Sequence, residues 1–356
     1  IGLSLLRIQI KPDGTSTELE TVDLAVERGV DVWAAPWSPP AEWKDNGSTI
    51  NGGSLLKEHY QDWADSLADF ALMMDERGTP LMGISAQNEP DYTAAWDTCR
   101  YTPEDLASFV GDYLGPALND REVEAQVIAP EAANWNSIAR YTAALYEHPE
   151  AADYILAYGT HAYAGAPFLV TDIAEAGDEL WQTEISDPQQ DTPDTGMASA
   201  LRVAEMMHDD LTIAQVTAWH YWWLHARGDV DDTNAALSDR DFELTKRAYV
   251  MGQYSKFVRP GFRRVSVTVP SGAGLLATAY TSRDESSLVL VFIHKGRDEL
   301  EQTLQLPNGA HGRAQVWVTD ETRSLEKVGE PKVEDDELRL VLAEKSVTSV
   351  VIPLDN

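Results

Sequence analysis

Leu81-Met82-Gly83-Ile84-Ser85-Ala86-Gln87-Asn88-Glu89-Pro90 decides the fold, together with its counterpart Glu179-Leu180-Trp181-Gln182-Thr183-Glu184-Ile185-Ser186. Each is a short apolar, β-like run that closes on a glutamate and then meets a turn. Two carboxylates at the C-terminal ends of different strands of a (β/α)8 barrel suit a double displacement at a sugar carbon. One protonates the leaving oxygen while the other attacks the ring. A lone glutamate after a strand would carry little weight, because loop acids are usually only solvated. The Asn-Glu-Pro setting and the matched partner lift this pair above that reading.

Outward from these runs, up to about residue 258, apolar stretches alternate with longer amphipathic ones. The predicted strands are Leu3–Ile10, Val30–Pro36, Leu81–Asn88, Gln126–Pro130, Ala157–Tyr163, Glu179–Glu184 and Val216–Trp223. Helical spacing separates them, as in Tyr60–Arg77 with Trp63, Leu67, Phe70 and Met74 three and four residues apart. Pro103–Leu118 opens with the Thr-Pro-Glu-Asp of a capped helix, and Ala198–Asp210 is a further one. Strands alternating with helices give a parallel sheet covered by helices. A closed barrel needs eight strands and seven are legible. The chain opens inside an apolar run, so the expectation is that the first strand lies ahead of Ile1. On that count Glu89 ends the fourth strand and Glu184 the seventh, at one rim.

After Phe257-Val258-Arg259-Pro260-Gly261 the period changes to that of short strands bounded by Gly, Pro, Asn and Asp. Arg263–Val269, Leu275–Thr281, Ser287–His294, Leu300–Leu306, Ala314–Thr319, Glu337–Leu342 and Val347–Pro353 read as an antiparallel β-sandwich. The expected division is therefore a catalytic barrel over 1–258 and a side domain over 259–356. Ten of the eleven tryptophans precede residue 224, which places the aromatic stacking capacity in the barrel.

Composition narrows the partners. The net charge is −32, from 59 acidic and 27 basic residues, only nine of the latter being lysine. So polyanionic a surface argues against nucleic acid or an anionic membrane, both of which need clustered Lys and Arg. No apolar run approaches the roughly 20 residues of a membrane span. The acids are spread along the chain, which suits a solubilising surface, in a salt-adapted host or an ordinary acidic exported enzyme. The single cysteine, Cys99, excludes an internal disulfide and a Cys-rich metal site. The eight histidines show no metal-ligand spacing, and neither a Walker loop nor a dinucleotide fingerprint is present. No cofactor or metal is expected.

Other candidates cluster at the same strand ends. Asn88 adjoins Glu89 and can bond a sugar hydroxyl. Thr160-His161-Ala162-Tyr163 brings an imidazole and a phenol to the rim, where Tyr163 can donate to Glu184. His161 is as readily a satisfied core histidine. Trp37, Tyr92, Trp222 and Trp223 offer faces for stacking on sugar rings, although core packing is as common a role for any single tryptophan. One of Trp222 and Trp223 is expected in the wall, because strand residues alternate between faces.

At these residues the chain strongly resembles glycoside hydrolase family 30. The stretches that carry the resemblance are Ala35-Pro36-Trp37-Ser38-Pro39-Pro40, Asn51-Gly52-Gly53-Ser54-Leu55, Gln87-Asn88-Glu89-Pro90-Asp91-Tyr92, Ile128-Ala129-Pro130-Glu131, Trp181-Gln182-Thr183-Glu184 and Lys246-Arg247-Ala248-Tyr249 through Gly261. The resemblance implies Glu89 as acid/base, Glu184 as nucleophile, Arg7 as the arginine that braces it, and a β-sandwich fused to the barrel. The Trp-Ser-Pro-Pro and Gln-Asn-Glu-Pro-Asp-Tyr forms look most like the bacterial endo-xylanase branch. Many of its members grip a glucuronate side group with an arginine four residues after a tryptophan, and Trp223-Leu224-His225-Ala226-Arg227 keeps that spacing. The chain departs from the branch in three places: Ala226-Arg227 for a tandem arginine, Asp229 for a tyrosine, and Ser186 for an aromatic. Asp229 would repel a glucuronate.

The expectation is a secreted, monomeric, metal-independent, retaining endo-β-1,4-xylanase whose partner is xylan. A family 30 hydrolase of a β-1,6-linked galactan or glucan is the alternative enzyme. A carbohydrate-binding pseudoenzyme is the alternative class.

Overall fold

The computed structural model describes residues 1–187, 194–225, 236–269 and 274–355. It contains two compact units: Leu5–Ile185 with Ile213–His220, and Ile1–Ser4 with Ser186–Thr212 and Tyr221–Asn356.

The first unit is built on seven parallel strands: β1 (Leu5–Ile10), β2 (Asp31–Pro36), β3 (Gly83–Ser85), β4 (Gln126–Ala132), β5 (Ile155–His161), β6 (Leu180–Glu184) and β7 (Ala218–Trp219). They lie side by side in chain order, every neighbour parallel, in the manner of a (β/α)8 barrel wall. Five of the seven intervals expected from apolar patterning hold nearly to their bounds. Leu81–Asn88 shrinks to the three residues of β3 and Val216–Trp223 to the two of β7. Near-continuous burial along β2, β4 and β6 explains their legibility, since strands covered on both faces read as unbroken apolar runs. Trp33, Ala35, Ile128, Ala157 and Trp181 form an apolar cluster between the strands.

Helices α1 (Leu19–Val26), α2 (Tyr60–Glu76), α3 (Pro103–Ser108), α4 (Gly115–Asp120), α5 (Ile138–Glu147) and α6 (Thr171–Ala176) connect them. α2 buries Trp63, Leu67, Phe70 and Met74, the stripe read from its spacing. Each such side chain contributes about 1.5–3 kcal/mol of burial. α3 begins as expected, with the Thr102 hydroxyl accepting from the Asp105 N–H at 3.1 Å. The single helix expected over Pro103–Leu118 is instead two, joined by a wider π turn at Phe109–Leu114. Pro116 has no N–H for the carbonyl four residues back, and the widened turn accommodates its ring. A side chain at Gly115 would lie 2.2 Å from the Tyr154 ring, so the turn also needs that glycine for close approach.

The second unit contains α7 (Met197–Asp209) and α8 (Lys246–Ser255), then β8 (Arg263–Val265), β9 (Leu275–Thr281), β10 (Ser287–His294), β11 (Leu300–Gln305), β12 (Gln315–Thr319), β13 (Glu326–Gly329), β14 (Glu337–Leu342) and β15 (Ser346–Pro353). Six strands form one antiparallel sheet in the order β13-β12-β15-β10-β9-β8, and β11 pairs with β14 in another. Their inward residues, among them Leu288, Leu290, Phe292, Leu338, Leu340, Leu342, Val350 and Ile352, make one core. Alternation is plainest in β14, where Arg339 and Val341 face outward. β13 was not legible, because three of its four residues are exposed and none is buried. The compact units do not divide at 258/259. α7 and α8 read as barrel helices, yet they pack on β9, β10, β12 and β15, with Gln253 donating to the Thr319 hydroxyl at 2.9 Å.

Candidate active site

Parallel strands deliver their C-terminal ends to one rim, and five charged side chains of the first unit meet there. β3 stops at Ser85, but the chain continues extended and bonds its two neighbours in turn. Ala86 N–H donates to the Ile128 carbonyl, Asn88 N–H to that of Pro36 (2.9 Å), and Glu89 N–H to that of Glu131 (3.0 Å). Glu89 has φ +50° and Glu131 φ +54°, left-handed values that turn both side chains at the rim. Non-glycine residues there carry backbone strain of a kind that clusters at functional sites.

Glu184, the last residue of β6, is held at both oxygens. Arg7 Nη1 donates to Oε2 at 2.8 Å and the Tyr163 hydroxyl donates to Oε1 at 2.8 Å. The other arm of Arg7 reaches Asn88 Oδ1 and lies 2.9 Å from Glu131 Oε1. His161 is fully buried, with Nδ1 3.1 Å from Glu89, and Nε2 3.4 Å from Glu131 and 3.8 Å from Glu184. Burial favours its neutral form, but Glu184, Glu131 and Glu89 together outweigh that. The imidazole is pushed up to about 10 and is cationic at neutral pH. Burial alone would raise the Glu131 carboxyl; the adjacent Arg7 and His161 instead hold it below the ordinary carboxylate value.

A second histidine behaves oppositely. His220, beyond β7, is pushed down to about 4, by burial first and by the charge of Arg7 in addition. It is neutral, its Nδ1 donating to the Gln182 carbonyl at 3.0 Å and its Nε2 accepting from the Trp33 indole at 3.0 Å. Trp33 in turn lies under the Arg7 guanidinium, 5.2 Å from ring centre to Cζ. The side chain that places the bracing arginine is thus itself locked.

One carboxylate oxygen each from Glu89 and Glu184, and a ring nitrogen of His161, lie within 4.8 Å of one another. Such a triad has the composition of a metal site. A metal there would have to displace the proton of His161. Both nitrogens of His161 already face carboxylates. The arrangement is suited to two carboxylates working on opposite sides of one carbon.

The chain matches the glycosyl hydrolase family 30 TIM-barrel domain over residues 19–189. It is 29% identical over 363 residues to the glucuronoxylanase XynC of Bacillus subtilis (strain 168), covering 99% of this chain and 81% of that protein. The family 30 subfamily 8 xylanase Xyn30A from Clostridium acetobutylicum superposes with a TM-score of 0.88 at 28% identity, over 99% of this chain and 89% of that one. Residues 19–189 thus carry the glycosyl hydrolase family 30 barrel domain. Other relatives are similar at lower identity, among them the endo-1,6-beta-D-glucanase of Neurospora crassa, 25% identical over 317 residues, 82% of this chain and 63% of that protein. The matched domain and the xylanase relatives together make the chain a glycoside hydrolase.

Of the residues expected at the family 30 site, Arg7, Asn88, Glu89, His161, Tyr163 and Glu184 converge within hydrogen-bonding reach of one another. His161 is a buried histidine with both ring nitrogens partnered, as the core reading expects, and its partners are the site's glutamates. It is also too enclosed to meet a sugar, and it acts on the carboxylates instead. Trp37 adjoins the site through its carbonyl, which accepts from Gln87 Nε2 at 2.8 Å. Tyr92 follows Glu89 by one tight turn and is half exposed. Trp222 and Trp223 belong to the second unit, past the end of β7. Neither alternates as a wall residue: their rings stack on each other at 4.9 Å and 11°, both partly exposed. Arg227 and Asp229 lie outside the described residues. Glu131 is not among the expected site residues, although Gln126–Glu131 is a third apolar run that closes on a glutamate. No signal marked His220, whose role depends on Trp33 and Gln182 in other strands.

Proposed function

We propose that this family 30 chain is a secreted, monomeric, retaining endo-β-1,4-xylanase that uses no cofactor or metal. In the first step a Glu184 oxygen bonds to the anomeric carbon as the bond to the leaving oxygen breaks, and Glu89 gives that oxygen its proton. In the second, Glu89 takes a proton from water, the water oxygen bonds to the same carbon, and Glu184 is released. The observation that carries the mechanism is the approach of one oxygen from each carboxylate to within 4.8 Å. It suits the roughly 5–5.5 Å of retaining enzymes rather than the 6.5–9.5 Å that leaves room for water in inverting ones. Arg7 and Tyr163, one on each oxygen of Glu184, support its role as a fixed nucleophile. Asn88, Trp37, Tyr92, Trp222, Trp223 and Arg227 are the proposed sugar contacts. Likeness to the Bacillus glucuronoxylanase and the Clostridium xylanase supports xylan as substrate. A polymer substrate, too large to enter a cell, supports secretion.

The test is turnover of glucuronoxylan, arabinoxylan, β-1,6-galactan and β-1,6-glucan side by side, with the first-formed anomer followed by NMR. A retained anomer from the xylans supports the proposal. An inverted product would overturn the mechanism, and cleavage of the β-1,6-linked polymers alone would overturn the substrate. Glu184→Gln abolishes turnover, whereas Glu89→Gln keeps measurable activity only on substrates with a good leaving group.

A further inference from the structure

The loop that begins at Glu89 carries two exposed aromatic side chains for which the core gives no reason. Tyr92 is 46% exposed and Trp96 50%. Their ring centres lie 6.4 Å apart with the planes tilted by 38°, so the two rings present one continuous aromatic surface. Single exposed apolar residues are ordinary, but a contacting pair on a braced loop is not.

The bracing is extensive. Tyr92 N–H donates to the Glu89 carbonyl at 3.0 Å, closing a tight turn, and Asp91 Oδ1 accepts from the Ala133 N–H at 2.8 Å. Asn51 N–H donates to the Ala94 carbonyl at 2.8 Å and Thr98 N–H to that of Thr49 at 2.9 Å. Beneath the loop lies Lys44, 3% exposed, whose ammonium donates to the Thr98 carbonyl and to the Ser38 hydroxyl. A buried lysine with carbonyl and hydroxyl acceptors ties the Asp91–Thr98 segment to the chain that follows Trp37. The two aromatic faces are thus ordered before anything binds, and stacking on them forfeits little conformational entropy.

We propose that Tyr92 and Trp96 form the platform for the sugar units on the leaving-group side of the scissile bond. The assignment of side rests on the role of Glu89 given above. The acid stands next to the oxygen that departs, so the departing portion of a β-linked chain extends over the loop that Glu89 begins. The C–H faces of successive pyranose units are the chemistry that such a surface recognises. Trp96 contributes the outer half of the platform and Tyr92 the half next to the acid.

Two substrates separate this role from others. Xylohexaose places sugars on both sides of the cleaved bond, while β-xylobiosyl fluoride leaves only a fluoride ion on the leaving-group side. The ratio of kcat/KM on the hexaose to that on the fluoride is expected to fall about tenfold in Trp96→Ala and in Tyr92→Ala. Trp96→Tyr should recover most of it, because a phenol retains a stacking face. Reducing-end-labelled xylohexaose should also be cut closer to the labelled end by Trp96→Ala, as binding modes that fill the outer platform are lost. An unchanged ratio, or equal losses on both substrates, overturns the platform. If the unmodified enzyme turns over neither xylose-based substrate, the xylan assignment fails. The same ratio, measured with a β-1,6-linked glucohexaose and β-gentiobiosyl fluoride, then decides the platform by itself.

Discussion

Glu131→Gln keeps the volume of a fully buried side chain and removes its charge, which Arg7 and His161 share at 2.9 and 3.4 Å. Breaking a buried pair by neutralising one partner costs about 3–5 kcal/mol, since the other partner stays buried without its counter-charge. A chain of 356 residues gains about 0.75 kcal/mol/K of entropy on unfolding, so 4 kcal/mol corresponds to a fall of about 5 °C in melting temperature. The pH dependence follows from two shifts of opposite sign. His161 is pushed from 6.5 up to about 10, so its stabilisation is full below pH 6.5 and is lost as pH rises towards 10. Glu131 is held below its ordinary 4.5, so its stabilisation is present above that pH and is lost as pH falls further. The difference between wild type and Glu131→Gln should therefore be largest between about pH 5 and 6.5 and should narrow towards both pH 10 and pH 3. Melting by calorimetry or tryptophan fluorescence at half-unit intervals measures it. kcat should drop about 100-fold, because Arg7 and His161 then orient Glu184 and Glu89 without their common anchor. A melting temperature within 1 °C of wild type at pH 6, or a difference independent of pH, would refute the charge-sharing account.

Three further outcomes are expected. Tyr163→Phe removes the 2.8 Å hydrogen bond to Glu184 and should lower kcat/KM about 10–100-fold, the scale of hydrogen bonds to charged groups, with the melting temperature little changed; an activity within twofold of wild type would exclude that bond from the mechanism. If the charge of −32 is a salt adaptation, the melting temperature should rise between 0.1 and 1 M NaCl, as the screening length falls from about 10 to about 3 Å; a flat or falling curve would mark an ordinary acidic enzyme. Arg227→Ala should lower kcat/KM on glucuronoxylan about 10–100-fold and leave undecorated xylan nearly unaffected, because a guanidinium can pair with a carboxylate through two parallel bonds; equal losses on both, or none on either, would exclude Arg227 from glucuronate binding.

Sequence by itself determined the strand-and-helix alternation, the change to short antiparallel strands after residue 258 and the placing of two glutamates at strand ends, whereas Arg7 entered only through the family resemblance. Those features are local. Strands buried on both faces are unbroken apolar runs, α2 repeats its apolar stripe every three or four residues, and a glutamate that closes a strand is visible without its neighbours. Tertiary structure alone decided what depends on distance between segments far apart in the chain. Glu131 has the same local appearance as Glu89, and only its contacts with Arg7 and His161 make it the shared counter-charge of the site. His161 and His220 have one intrinsic proton affinity, yet three carboxylates make the first a cation while burial beside Arg7 keeps the second neutral. Likewise α7 and α8 carry the period of barrel helices. Which sheet they cover follows from the shape of their buried faces against β9, β10, β12 and β15, because a hydrophobic stripe specifies burial without specifying its partner.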